Sequence, residues 1–183
     1  MNITDNNYKR RDLADLFYGV GVEVGVADGD FARFILDHNP KVKKLYGVDV
    51  YKGHEGYQDY TRKSTFEAML EHAQAAVAPY AERHEFIFKF SMDAVKNFDD
   101  NSLDFVYIDA NHSYDTVLED ITEWAKKVKP TGLVCGDDYD LPENDRRLAR
   151  YDVIRAVNDY CEANGKYLNV FNGSHPRQWM FAK

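Results

Sequence analysis

The sequence predicts a single α/β domain built on a mainly parallel sheet. Short apolar segments typical of strands alternate along the chain with amphipathic segments of helical period. Strands that alternate with helices pair in parallel through right-handed crossovers. At 183 residues the chain is long enough for one well-filled domain and too short for two, and no repeat or linker-like tract divides it. We therefore expect one domain over residues 1–183.

The first half of the chain predicts five elements from apolar spacing and boundary residues. A glycine-containing turn separates the first strand from the helix that follows it, and Pro79 ends the long helix. The stretch 51–57, rich in tyrosine and glycine, is too irregular for an element. In order, the elements are a short helix around Leu13, Leu16, Phe17 and Val20, a strand at 21–24, a helix at 30–38, a strand at 44–49 and a helix from Phe66 to Val77.

The second half continues the alternation and then departs from it. Two strands at its end, 167–171 and 178–182, are joined by a turn with no helix between them, so the last should run antiparallel. This gives a seven-stranded sheet. The other elements are strands at 86–90, 103–109 and 133–137, a helix whose stripe runs from Tyr114 to Val128 and stops at residues 130–132, and a helix from Val153 to Cys161 closed by Asn164 and Gly165.

Composition excludes several classes of function. The net charge of −8 and pI near 5.2 argue against a surface that follows nucleic-acid phosphates. Residues 1–15 are polar with mixed charge, unlike a signal peptide, and no apolar run reaches the ~20 residues of a membrane span. Cys135 and Cys161 fit buried free thiols. We expect a cytoplasmic protein with neither a nucleic-acid nor a membrane partner.

The stretch 21–30 is the most informative, because a short strand carrying Glu23 runs into a tight turn and then a helix start. A dinucleotide fingerprint needs three glycines there, but Gly25 is followed by Ala27 and Asp30 at the second and third places. An acidic turn is a poor site for pyrophosphate. It suits a ligand with a cationic centre, an amine and hydroxyls, such as S-adenosylmethionine (SAM), and disfavours an NAD-dependent oxidoreductase.

Acidic residues end four of the five leading strands, at Glu23, Asp49, Asp109 and the pair 137–138. Any one of them could cap a helix or turn, but together they converge on the sheet edge where ligands bind. Asp49 can accept both ribose hydroxyls, as the same position does in dinucleotide enzymes. Asp109, Asp137 and Asp138 are oxygen ligands of the kind Mg²⁺ prefers. The alternative for the pair is a solvated acidic loop continuing through Asp140, Glu143 and Asp145.

From Val20 to Tyr139 the chain resembles class I SAM-dependent methyltransferases, and in particular small-molecule O-methyltransferases of the catechol and macrolide-sugar types. The resemblance implies a Rossmann-like methyltransferase sandwich, with a mainly parallel seven-stranded sheet and an antiparallel last strand. The motifs that carry it are 23–25 with Gly29, Asp49, the run 108–114 and the run 129–132.

The resemblance also implies roles for individual residues. His112, three places after Asp109, corresponds to the general base of the catechol type, and Asp109, Asp137 and Asp138 correspond to the Mg²⁺ ligands. Cofactor binding is implied for Glu23, Gly25, Ala27, Asp28 and Gly29 around the methionine part, Asp49 and Val50 at the ribose, Ser91 and Met92 at the adenine, and Asp109.

The chain departs from the family at three points. Ala27 replaces the middle glycine of the first motif, and Thr131 replaces a glycine in a turn remote from the chemistry. The N-terminal helical region that covers the substrate in catechol-type enzymes is short here. The acceptor pocket is therefore expected to be open or completed by another subunit, which favours a homodimer.

These observations predict Mg²⁺-assisted transfer of a methyl group from SAM to a hydroxyl of a small molecule. A metal would lower the pKa of the acceptor hydroxyl, and His112 would take its proton. His112 as a mere helix-start residue, a metal-independent methyltransferase and a non-catalytic SAM-binding domain remain alternatives. Candidates for the acceptor pocket, whose alternative is an exposed loop without a role, are Tyr51, His54, Tyr57, Tyr139 and Arg146.

Overall fold

The computed structural model describes residues 3–53, 63–140, 152–173 and 175–183. Their strands form one sheet in the order β1-β7-β8-β6-β5-β2-β3-β4. Strand β8 runs antiparallel to both neighbours and the other pairings are parallel. The strands are β1 Ile3–Asn6, β2 Gly19–Val24, β3 Val42–Val48, β4 His84–Ile87, β5 Leu103–Ile108, β6 Val128–Gly136, β7 Leu168–Phe171 and β8 Gln178–Ala182.

Helices cover both faces of this sheet, because successive strand residues point to opposite sides and both sides are apolar. In β5, Phe105 and Tyr107 face one layer while Val106 and Ile108 face the other. Helices α1, α2 and α3 pack on the first face, and α4, α5 and α6 on the second. Their bounds are α1 Arg10–Ala14, α2 Asp30–His38, α3 Lys63–Val77, α4 Ser91–Ala94, α5 Tyr114–Lys127 and α6 Val153–Ala163.

The predicted α/β class and the antiparallel last strand are confirmed, whereas the strand count and some boundaries are corrected. The sheet has eight strands rather than seven, because Ile3–Asn6 adds a short edge strand beside β7. The strand predicted at 86–90 ends at Ile87, and Phe88 and Phe90 lie beyond it with 53% and 37% exposure. Strand β6 begins at Val128 and includes residues 130–132, where the sequence predicted only the end of a helix. Its pairing with β5 shifts register in this segment.

Strand β2 lies between β3 and β5, so the chain leaves it first toward one edge of the sheet and later toward the other. In open α/β sheets ligands bind outside the carboxyl ends of the strands at such a switch in strand order. The residues that follow Val24, Val48 and Ile108 therefore surround the expected binding crevice. Within the described residues, no helix has both the length and the apolar character needed to cross a bilayer.

Candidate active site

A cavity of about 480 Å³ opens at this switch point, within the size range of small-molecule sites. Nine of the ten residues predicted to bind cofactor line it, and Gly29 does not. His112 and Asp138 also line it. The nine are Glu23, Gly25, Ala27, Asp28, Asp49, Val50, Ser91, Met92 and Asp109.

The two glycines of the turn after β2 have different functions. Gly25 has a φ of +90°, and a Cβ there would lie 1.9 Å from the carbonyl oxygen of Asp109. Only glycine therefore lets the chain after β2 approach the end of β5. Gly29 caps α2 with a φ of +80°, and its Cβ would lie 2.8 Å from Cα of Ala73 on α3. Gly29 thus lets two helices pack closely, and its predicted contact with the cofactor stays a prediction.

Asp49 fixes the turn from the neighbouring strand. Its Oδ2 accepts hydrogen bonds from the backbone N–H groups of Val26 and Ala27, each at 3.1 Å. Its Oδ1 accepts from the N–H of Tyr51 at 2.8 Å. Ala27 has a φ of +50°, a conformation that costs a non-glycine residue about 1–2 kcal/mol. The Asp49 carboxylate therefore holds Ala27 in the conformation that a glycine would adopt freely.

Glu23 is a buried carboxylate with an unused acceptor. It is 1% exposed, and its Oε2 has no hydrogen-bond partner among the described residues. Burial raises the pKa of Glu23 well above its ordinary value, against the opposing effect of Arg10. An isolated buried charge is unfavourable, whereas a cationic donor bound beside it would restore its ionised form. The cavity thus offers a specific position for an ammonium or similar cation.

Arg10 belongs to this site although the sequence does not predict it. From α1, its Nη2 contacts Asp109 Oδ2 at 2.9 Å and its Nη1 contacts Asp137 Oδ2 at 3.2 Å. The guanidinium carbon lies 4.0 Å from the centroid of the Phe31 ring. Nothing in the sequence pairs Arg10 with carboxylates about a hundred residues later, so only the folded arrangement identifies it. Its charge offsets the repulsion between Asp109 and Asp137.

Asp137 does not join the other two predicted metal ligands. Besides its ion pair with Arg10, its Oδ1 accepts from Gln178 Nε2 at 2.8 Å and from the backbone N–H of Asp138 at 2.9 Å. Burial and the nearby Asp109 raise the pKa of the Asp137 carboxyl. Both carboxylate oxygens are therefore engaged within the protein. Among the described residues Asp137 is therefore not part of the group that converges with Asp109 and Asp138, and its role as a metal ligand stays a prediction.

The group that converges instead consists of Asp109, His112 and Asp138, whose ligand atoms all lie within 4.8 Å of one another. His112 Nε2 lies 2.9 Å from Asp138 Oδ2 and 3.8 Å from Asp109 Oδ1. His112 precedes the N-cap of α5, which is Ser113. His112 thus stands at the start of the helix, as the alternative for this residue states, and its imidazole also lines the cavity.

A second buried network lies at α4 and α5. The indole N–H of Trp124 donates to Ser91 Oγ at 2.8 Å, and the Ser91 hydroxyl donates to Asp120 Oδ1. Asp120 is buried and lines the cavity, and burial raises its pKa to about 7. The sequence places Asp120 on the apolar stripe of a helix, where an acid is unusual. The sequence therefore marks Asp120 as unusual, but it does not indicate that this residue lines a cavity.

The predicted acceptor residues divide into three outcomes. Tyr51 lines the cavity, and burial raises the pKa of its hydroxyl. Tyr139 is buried outside the cavity lining, where its hydroxyl donates to Asn158 Oδ1 at 2.7 Å. His54, Tyr57 and Arg146 lie outside the described residues, as do Glu143 and Asp145 of the predicted acidic loop.

Comparison with known proteins identifies the family. Residues 22–139 match the family described as a methyltransferase domain, which is more than half of the chain. The chain belongs to this family. The matched segment begins in β2 and ends just after Asp138, so this methyltransferase domain contains every residue of the cavity named above except Arg10.

Protein R132 of Acanthamoeba polyphaga mimivirus is 26% identical over 138 residues, and the match covers 75% of this methyltransferase-domain chain and 58% of R132. The O-methyltransferase TomG from Streptomyces achromogenes, in complex with SAM, has a TM-score of 0.64 at 14% identity, with 94% of this chain and 76% of TomG covered. Spermidine synthase from Thermotoga maritima has a TM-score of 0.60 at 14% identity, and the match covers 96% of this chain and 57% of the synthase chain. The chain has the Rossmann-like methyltransferase fold and resembles small-molecule O-methyltransferases.

Proposed function

We propose that this methyltransferase domain transfers the methyl group of SAM to a hydroxyl of a small molecule. The observation that carries the proposal is the buried Glu23 carboxylate with an unused oxygen at the base of the glycine turn. SAM carries an ammonium and a sulfonium, and an anionic cavity stabilises both. Asp28, Asp49 and Asp109 line the same cavity and add to its negative charge. The structure of TomG, which is similar in fold, contains bound SAM.

The reaction needs positioning and removal of one proton. The acceptor oxygen attacks the methyl carbon in line with the departing sulfur, the carbon–sulfur bond breaks, and the sulfonium becomes the thioether of S-adenosylhomocysteine. His112 would take the acceptor's proton. Asp138, 2.9 Å from His112 Nε2, would orient the imidazole and stabilise its protonated form. These groups lie beside Asp109 at the end of β5.

We also propose that Mg²⁺ assists the reaction, held by two carboxylates rather than by three. Mg²⁺ is typically held by one or two carboxylates, with water and substrate oxygens completing its coordination. Asp109 and Asp138 fit this requirement, whereas Asp137 is engaged by Arg10 and Gln178. When bound there, the metal would lower the pKa of the acceptor hydroxyl. His112, between the two carboxylates, would still receive the proton.

The metal hypothesis predicts that EDTA lowers methyl transfer and that added Mg²⁺ or Mn²⁺ restores it. Asp138→Asn should remove this metal response. Asp137→Asn is the matched control and should retain it, because its carboxylate lies outside the converging group. The measurement is transfer of labelled methyl from SAM to a panel of hydroxylated acceptors. Full activity of the wild type in EDTA would make the enzyme metal-independent, with deprotonation left to His112 and Asp138.

The cofactor hypothesis predicts a thermal shift with SAM or S-adenosylhomocysteine and none with NAD. Binding raises apparent stability by about 2.7 kcal/mol at a hundred times the dissociation constant. Asp49→Ala should weaken cofactor binding and also lower the stability of the ligand-free protein by about 1–3 kcal/mol, because three backbone donors lose their acceptor. Stabilisation by NAD alone would contradict the proposed cofactor.

The acceptor class, assembly and location complete the proposal. We propose a small-molecule acceptor and a homodimer in which a second copy of the chain completes the acceptor pocket. The cytoplasm is the proposed location, because both cysteines are buried free thiols. Light scattering would test the assembly, since a homodimer has twice the 21.2 kDa mass of one chain.

A further inference from the structure

Asp120 occupies a position that folding alone does not explain. It lies on α5 among the buried residues Val117, Ile121 and Trp124, on the side that packs against the sheet. Placing a carboxylate in such surroundings disfavours its charged form, which is why its pKa rises to about 7. An apolar residue would stabilise this helix face better. The acid is therefore expected to serve the cavity that it lines.

The hydrogen bonds around Asp120 leave one of its oxygens available. Ser91 receives the Trp124 N–H and directs its own hydroxyl proton to Asp120 Oδ1. The Ser91 hydroxyl has a single proton, so it cannot also donate to a ligand. Asp120 Oδ2 accepts no hydrogen bond from the described residues. The Ser91 oxygen keeps one further lone pair, whereas Asp120 offers a whole carboxylate oxygen, which is the stronger acceptor for a ligand donor.

The surroundings of that oxygen indicate the chemical class of the donor. The cavity wall near α4 and α5 includes the apolar Met92 and Ala110, both packed against the core, and the half-exposed Phe90. Glu23, the other buried acid among the described residues that line the cavity, lies at the glycine turn with Arg10 and Asp109. The side of the cavity near α4 and α5 thus combines apolar side chains with one buried acceptor, and its charged members Lys89 and Glu119 are exposed. A flat aromatic ring carrying an amino group matches this side of the cavity.

We propose that Asp120 accepts a hydrogen bond from the exocyclic amine of the cofactor's adenine and thereby selects a 6-amino purine over a 6-oxo purine. This rests on the proposed SAM-dependent function, because it assigns the base of that same cofactor. Ser91 acts as a positioning residue that fixes the carboxylate. The inference extends the expected adenine contacts of Ser91 and Met92 to a residue on a different helix.

The test compares the binding of S-adenosylhomocysteine and S-inosylhomocysteine by calorimetry. At pH 8.5, above the Asp120 pKa of about 7, the wild type should prefer the adenosyl compound by about 10- to 100-fold, the contribution of a hydrogen bond to a charged group. Asp120→Asn should reduce that preference to a few-fold, because the amide can donate to the 6-oxo group. Glu119→Gln is the matched control, since Glu119 is an exposed acid next in sequence that lines the same cavity, and it should keep the wild-type preference.

Ser91→Ala gives a second measurement that does not require changing Asp120. It removes the hydroxyl but leaves the carboxylate, so a clear preference for the adenosyl compound should survive. A wild type without any preference, or an Asp120→Asn protein that keeps the full preference, would overturn the role of Asp120. Loss of the preference in Ser91→Ala with its retention in Asp120→Asn would assign the amine to Ser91. Failure of the wild type to bind S-adenosylhomocysteine would instead overturn the proposed function.

Discussion

Replacing His112 by alanine is expected to lower turnover by about 10²–10⁴-fold while SAM affinity stays nearly unchanged. His112 lines the cavity and its Nε2 lies 2.9 Å from Asp138 Oδ2, so the proposed base and a carboxylate that would stabilise its protonated form lie together. Part of the loss should be recovered at higher pH, where the acceptor hydroxyl ionises without a base. Initial rates across a pH series, together with calorimetric binding of S-adenosylhomocysteine, measure both effects.

His38→Ala is a matched control for this experiment, because His38 is an exposed residue at the end of α2. Its replacement should change neither rate nor affinity. If His112→Ala instead retained wild-type turnover at neutral pH, His112 would be a loop residue, and any metal at Asp109 and Asp138 would have to carry the deprotonation.

Replacing Glu23 by glutamine should weaken cofactor binding by about 2–5 kcal/mol, the usual cost of truncating one partner of a buried charge pair. The same change should stabilise the ligand-free protein at higher pH. Burial raises the pKa of Glu23 in the folded state above its unfolded value, so folding favours the protonated form. The stability contributed by that proton is complete at low pH and is lost as the pH rises toward the folded pKa. Glutamine cannot ionise and avoids this loss.

Urea unfolding of wild type and Glu23→Gln at pH 5 and pH 8, without cofactor, would measure the stability difference, and calorimetry would measure affinity. Asp28→Asn serves as the control, since Asp28 lines the same cavity but is only partly buried. It should change both quantities less. Wild-type affinity in Glu23→Gln would show that the ammonium binds elsewhere and would remove the principal support for the proposed cofactor site.

The predicted site residues that the structure brings together at one edge of the sheet depend on local patterns in the sequence. The turn after β2 needs Gly25 at a positive φ, and the acids Asp49 and Asp109 follow apolar strands directly. Parallel strands bring their carboxyl ends to one edge, so those residues converge whatever the details of packing. That reasoning does not extend to the Asp137 side chain, because a strand-end position does not fix which way a carboxylate turns.

The parts that the sequence did not predict depend on contacts between distant segments. Arg10 meets Asp109 and Asp137 across the fold, and Gln178 reaches Asp137 from the last strand. Strand β1 is short and polar, and only its pairing with β7 makes it a strand. The sequence did not indicate that β4 ends at Ile87, because aromatic residues continue to Phe90. In the structure the side chains of Phe88 and Phe90 are exposed.

The contacts of Asp137 bear on the order in which the protein is assembled. One of its partners, Arg10, precedes the first strand of the central framework, and another, Gln178, belongs to the strand that is made last. Pairings so distant in sequence form slowly, because the intervening chain must first be brought together. During synthesis the glycine turn and strands β2 to β5 emerge well before Gln178 does. The Asp137 arrangement therefore rests on contacts between distant segments and can be complete only after Gln178 has been synthesised.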